Sequence, residues 1–139
     1  MQRDRMAVAR TWLRNAARDV SLARLALNVE PALAAFHAQQ AADKSLKGAA
    51  IAATDDHARS HSCTLLMAEL RSHGVRMEPQ VDADARALDL YYLASRYPDA
   101  VADNDPGDLV PREDAVRALE RCDRVVEFAR AVIESEAKK

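Results

Sequence analysis

His37, Gln40, Lys44 and Lys47 recur at spacings of three and four residues in the middle of this 139-residue chain. On a helix, at about 100° per residue, they form one narrow stripe together with Leu33 and Ile51. An imidazole, an amide and two ammonium groups in a row suit a phosphate site or a polar interface. Lys44 and Lys47 stand close enough on one face to meet a single anion. The same stripe would equally serve as a solvated face, or as a dimer contact in which Gln40 bonds its symmetry mate.

Two further places carry groups able to do chemistry. His61 opens a leucine-rich segment, where it could bond backbone as a structural cap or move a proton near neutral pH. Arg96 and Tyr97 precede Pro98 at a loop edge, a common setting for sites. There a guanidinium could clamp a phosphate while a phenol ring stacks on a base. Structurally, the same pair would serve as a cation for nearby acids and a ring packed under the loop. His57 and His61 have the spacing of two helical metal ligands, yet no glutamate follows His57, so no metal site is expected. There is neither a glycine-rich phosphate loop nor a GxSxG elbow, and no cofactor is expected.

The helices that must position these groups are legible from apolar periodicity. Leu13, Ala16, Val20, Ala23 and Leu27 predict a first helix from about Arg5 to Asn28. Its other side gathers Arg3, Arg10, Arg14, Arg18 and Arg24, a ridge for RNA phosphates, for solvent, or for the acidic C-terminal region. Pro31 restarts the chain, and so short a turn forces the second helix, to about Ala53, to run antiparallel. Ala34, Ala35, Ala38, Ala41, Ala42, Ser45, Gly48 and Ala49 give that helix a face of tiny side chains, inviting close approach of a neighbour. A third helix from about His61 to Ser72 is expected to bury Leu65, Leu66, Met67 and Leu70 before Gly74 ends it. A fourth, capped by Asp82 or Asp84, carries Leu88, Leu90 and Tyr91. The segment from Tyr97 to Pro111 holds three prolines and four aspartates and reads as a surface loop. A last helix from near Pro111 carries Val116, Leu119, Cys122, Val126, Ala129 and Ile133. The expected fold is all-α: one domain over residues 1–139, an antiparallel up-and-down bundle of about five helices.

Composition narrows the function classes. Net charge is −2, which argues against a dedicated, strongly basic nucleic-acid binder. The charge is unevenly spread: residues 1–30 hold six arginines against three acids, residues 78–139 nine bases against fifteen acids. Opposite ends can therefore attract each other or a second copy. Arginines outnumber lysines sixteen to four, the bias of a GC-rich bacterial genome. Cys63 and Cys122 stand far apart, as thiols of a cytoplasmic protein do. Neither a signal-peptide core nor a run near the roughly 20 apolar residues of a membrane span is present. A cytoplasmic protein away from membranes is expected.

Three signatures occur in order: Ala35-Phe36-His37-Ala38-Gln39-Gln40-Ala41-Ala42-Asp43-Lys44-Ser45-Leu46-Lys47 after the Trp12-Leu13 helix, then Arg59-Ser60-His61, then Tyr91-Tyr92-Leu93-Ala94-Ser95-Arg96-Tyr97-Pro98-Asp99. Together, over nearly the whole chain, they resemble the HEPN domain family of the nucleotidyltransferase-associated type. The resemblance implies a helical homodimer, a minimal nucleotidyltransferase as partner in toxin–antitoxin-like modules, and binding of nucleotide or RNA. The resemblance adds His61 and Arg96-Tyr97 to the stripe read from spacing, so the expected ligand-binding residues are His37, Gln40, Lys44, Lys47, His61, Arg96 and Tyr97. RNA-cleaving branches carry an arginine, four to six residues, then a histidine. None of His37, His57, His61 and His73 has an arginine at that distance upstream. The expected function is a nucleotide- or RNA-binding accessory subunit. The alternatives are an RNA-cleaving toxin with a non-standard His61/Arg96 pair, or a purely structural dimerisation module.

Overall fold

The computed structural model describes residues 2–55, 62–96 and 110–139, with side chains throughout except at 2, 3 and 93–96. Helix α1 spans Gln2–Ala26, α2 Pro31–Thr54, α3 Cys63–Ser72, α4 Pro79–Arg96 and α5 Arg112–Ala137. Five helices and no strand occur among the described residues, so the all-α expectation holds.

α2 is the hub, touching each of the other four helices. Its small-residue face explains why. Ala34, Ala35, Ala38, Ala41, Ala42, Ser45 and Ala49 are fully buried. At Gly48 an added Cβ would lie 2.8 Å from the Ala9 carbonyl oxygen and 3.2 Å from the Trp12 Cβ. Only the missing side chain lets α1 come that near. At the same end Met6, Ala9, Ile51, Ala52 and Ile133 form a smaller apolar cluster beside Trp12 and Leu13. The main core gathers the remaining alanines with Leu46, Leu66, Met67, Leu70, Leu88 and the inner face of α5.

The helix ends refine the expectations. α1 stops at Ala26, whose carbonyl accepts from the backbone N–H of Val29 (3.0 Å) and Glu30 (2.8 Å). Asn28, expected as terminator, lies in the turn, and its side-chain oxygen accepts from Arg112 Nε at 2.9 Å. α2 ends one residue late, with Asp55 in the left-handed region (φ 60°). α4 starts earlier than expected, at Pro79, because proline suits a first turn whose N–H groups lack helical acceptors. Asp82 and Asp84 are therefore not caps. They lie inside α4 and pair with arginines of α3, α4 and α5. Leu65, expected in the core, is 62% exposed; α3 buries Leu66, Met67 and Leu70 instead. The expected loop falls, except for Val110 and Pro111, outside the described residues.

Candidate functional site

The predicted stripe faces α1 rather than open water. Asp19, only 6% exposed, sits at the edge of the apolar face of α1 and reaches across to α2. One carboxylate oxygen meets His37 Nδ1 at 3.0 Å, the other Lys44 Nζ at 2.7 Å. The two α2 residues are seven apart, two helical turns, so a single carboxylate between them fixes the register of the pair. His37 also lies edge-on to Phe36, with ring centroids 5.4 Å apart. With Nδ1 held by the carboxylate, Nε2 is the nitrogen left to meet a ligand. Lys44 keeps 31% of its side chain exposed, with its ammonium ion-paired to Asp19 and its donors turned toward the surface edge available to a ligand.

Lys47 does different work. It is nearly buried, pairs with Asp43 at 3.0 Å, and lies 5.5 Å from the centroid of Trp12. That is the placement of a structural cation–π contact between α2 and α1. Gln40 donates to Gln39 Oε1 at 2.7 Å. The stripe thus divides in two: His37 and Lys44 share Asp19 near the surface, whereas Lys47 is sealed by Asp43 and Trp12. Asp19, Asp43 and Trp12 were missed from sequence. Their signal was faint: an acid at the margin of an apolar helix face, and an Asp–Lys pair at four-residue spacing.

His61 and Tyr97 lie outside the described residues, as does His57. Arg96 is the last residue of α4, and its side chain is likewise not described. What surrounds them is. Ser62 caps α3, its hydroxyl accepting from Leu65 N–H at 3.2 Å. Asp89 of α4 fills the remaining space at that helix start: its carboxylate accepts from Cys63 N–H (2.7 Å), Thr64 N–H (3.0 Å) and the Ser62 hydroxyl (3.0 Å). The positive end of α3 is therefore already met by an internal anion.

The ridge on α1 carries positive charge that no described acid neutralises. Arg10, Arg14 and Arg18 are exposed at four-residue intervals and have no acidic partner among the described residues. Arg14 donates to Thr11 Oγ1 (2.9 Å) and Arg18 to Asn15 Oδ1 (3.4 Å). Arg24, one turn and a half further on, pairs instead with Asp123 of α5 at 3.2 Å.

Both thiols are buried and held in the protonated form. Burial, helped by Asp89 and Asp43, pushes Cys63 well above its ordinary pKa; burial and Asp123 push Cys122 up to about 12. Among the described residues no three His, Cys, Asp or Glu side chains are placed to hold a metal ion. No helix described is long and apolar enough to cross a membrane.

An all-α bundle centred on an alanine-faced second helix, with a carboxylate–histidine–lysine bridge to the first, defines the class. The model of the HEPN domain matches residues 9–132, and the chain belongs to that family. Its fold is similar to the crystal structure of TT1696 from Thermus thermophilus, at 33% identity and a TM-score of 0.83, covering 89% of this chain and 97% of the other. It is similar too to ST0689, described as an archaeal HEPN homologue, at 27% identity and a TM-score of 0.75, covering 90% and 97%. No match was found among curated proteins.

Proposed function

We propose that this HEPN-family protein binds the phosphates of a nucleotide or RNA and acts as an accessory subunit, with a minimal nucleotidyltransferase supplying the chemistry. One observation carries the reading. Arg10, Arg14 and Arg18 form an exposed row with no acid to neutralise them among the described residues, although the chain as a whole is acidic. Guanidinium groups present paired donors matched to phosphate oxygens. Four-residue spacing sets successive groups about 6 Å apart along the helix, so one strand can be held at several phosphates. Thr11 and Asn15 steady two of the three heads. His37 Nε2 and the remaining Lys44 donors supply an adjacent polar edge. Lys47, already matched by Asp43 and Trp12, contributes to the frame.

Anisotropy of a short labelled RNA across a salt series tests this. Binding should weaken as salt rises, with a log–log slope of about −0.7 for each phosphate engaged. The double variant Arg10→Gln/Arg14→Gln should flatten that slope by about 1.4. An unchanged slope, or no binding at low salt, overturns the reading. Running the recovered RNA on a gel separates binding from the alternative of cleavage by His61 with Arg96. RNA that stays intact supports the accessory role, and RNA shortened by wild type but not by His61→Ala replaces it with the toxin.

A further inference from the structure

Two adjoining cavities, of about 400 and 460 Å³, open between α5 and the turn that joins α3 to α4. Each falls within the range of sites for small organic molecules. Arg76, Phe128 and Ala131 line both, so the pair forms one groove with a common wall. The turn is set before any ligand arrives. Gly74 takes φ 86°, its N–H donating to the Arg71 carbonyl at 3.0 Å and that of Val75 to the Leu70 carbonyl at 3.1 Å. This pair of bonds closes α3 on a left-handed glycine and sends the chain outward. Arg71 then donates to Met77 Sδ at 3.4 Å and to Asp82 at 2.8 Å, tying the turn to α4. Val75 and Met77 are half-buried, and Arg76 between them is exposed.

Most of the charge on the lining is already matched. Arg124 gives Nε and Nη2 to Asp84, Glu127 pairs with Arg130 at 3.4 Å, and Glu136 with Lys139 at 3.0 Å. Arg76, on the wall common to both cavities, has no acidic partner among the described residues. Glu78 lines the second cavity and not the first. A singly charged anion at Arg76 suits that balance. A polyphosphate would instead meet three glutamates around one available guanidinium. Beside it, half-buried Phe128 with Ala131 and Val132 offers an apolar surface for the body of the ligand.

We infer that this groove binds a small amphipathic carboxylate, an aliphatic or aryl acid whose head pairs with Arg76 and whose body lies along Phe128 and Ala131 into both cavities. The planar fork of a guanidinium meets a carboxylate at both oxygens. Withdrawal of the apolar body from water supplies the rest of the affinity. The groove shares no residue with the arginine row of α1 or with the Asp19 bridge, so the inference stands or falls apart from the proposed function.

Fluorescence titration of the full chain with anilinonaphthalene sulfonate, an aryl monoanion, tests this. Decanoate should displace the dye. Decylamine, with the same chain and the opposite charge, should not, and neither should ATP. Arg76→Gln should weaken decanoate binding at least tenfold, the loss expected for a charge-assisted pair. Ala131→Phe, at an exposed position on α5, fills the common wall and should abolish binding of dye and decanoate with an unchanged circular dichroism spectrum. In amide NMR spectra decanoate should shift Gly74, Arg76 and Ala131 and leave α1 in place. Four results overturn the inference: no saturable dye binding, decylamine that competes as well as decanoate, Arg76→Gln that binds like wild type, or shifts centred outside the groove. Displacement by ATP also overturns it, assigning the groove to nucleotides instead.

Discussion

Asp19 fixes the polar edge that joins α1 to α2. Its carboxylate holds His37 and Lys44 together while being almost wholly shut from water. Charge-assisted bonds of this kind contribute more than neutral ones. Removing the carboxylate leaves both α2 groups half-buried and unmatched, and Asp19→Ala should lower stability by about 2 kcal/mol, read from chemical denaturation. Asp19→Asn, which keeps shape and one acceptor, should lower it less. The α2 groups were legible from the sequence because spacing alone places them on one line. Their partner was not: periodicity gives the angle of a side chain on its own helix, never which residue of a neighbour stands opposite. For the same reason Lys44 and Lys47 read as equivalent cations, yet burial separates them into a surface group and a frame group.

At the scale of elements, the sequence foretold α2 and α5 almost to the residue, because Pro31 and Pro111 mark where helices restart and apolar stripes run unbroken behind them. It misread α3 and α4 where a polar side chain can act locally or at long range. Asp82 and Asp84 look like caps, but their partners lie on other helices, and the start of α3 is held by Asp89 from 26 residues downstream. Two consequences are measurable. Asp89→Ala strips the first turn of α3 of three bonds and should cost about 1–2 kcal/mol. Hydrogen exchange should speed at the α3 amides while those of α2 keep their protection. Gly48→Ala tests the close contact between α2 and α1. Alanine is the better helix former by about 1 kcal/mol. Its methyl, however, would meet the backbone oxygen of Ala9, which cannot move without α1. Overpacking should win, and a net loss of about 1–2 kcal/mol is expected in thermal or chemical melts.

The whole molecule is two differently built halves sharing α2. The α1–α2–α5 side closes mainly through alanines and a glycine contact, with the Asp19 bridge to His37 and Lys44 and the Arg24–Asp123 pair at its edges. The α3–α4 side adds carboxylate–arginine ties to its apolar packing. Asp84, fully buried, binds Arg124 at 2.7 and 3.0 Å and Arg121 at 3.0 Å, and Asp82 bridges Arg71 and Arg86. Burial works to raise both carboxyl pKa values. The opposing bonds prevail, from Arg124 and Gln80 on Asp84 and from Arg86 and Arg71 on Asp82, so both lie below the ordinary carboxylate value. A lowered folded-state pKa means that the unfolded chain takes up protons first. The stabilisation is complete above the ordinary carboxylate range near pH 4 and drains away as pH falls through it toward the folded value. Wild type should therefore keep a flat melting temperature from neutrality to about pH 5 and then fall steeply. Asp84→Asn should start lower at pH 7, by about 3 kcal/mol, because it strands two arginines that can still turn partly to water. It should then lose less between pH 5 and pH 3, so that the two melting curves converge in acid. Parallel curves would place the acid-sensitive tie elsewhere. Loss of exchange protection in α4 before α1 and α2 would locate it at this seam.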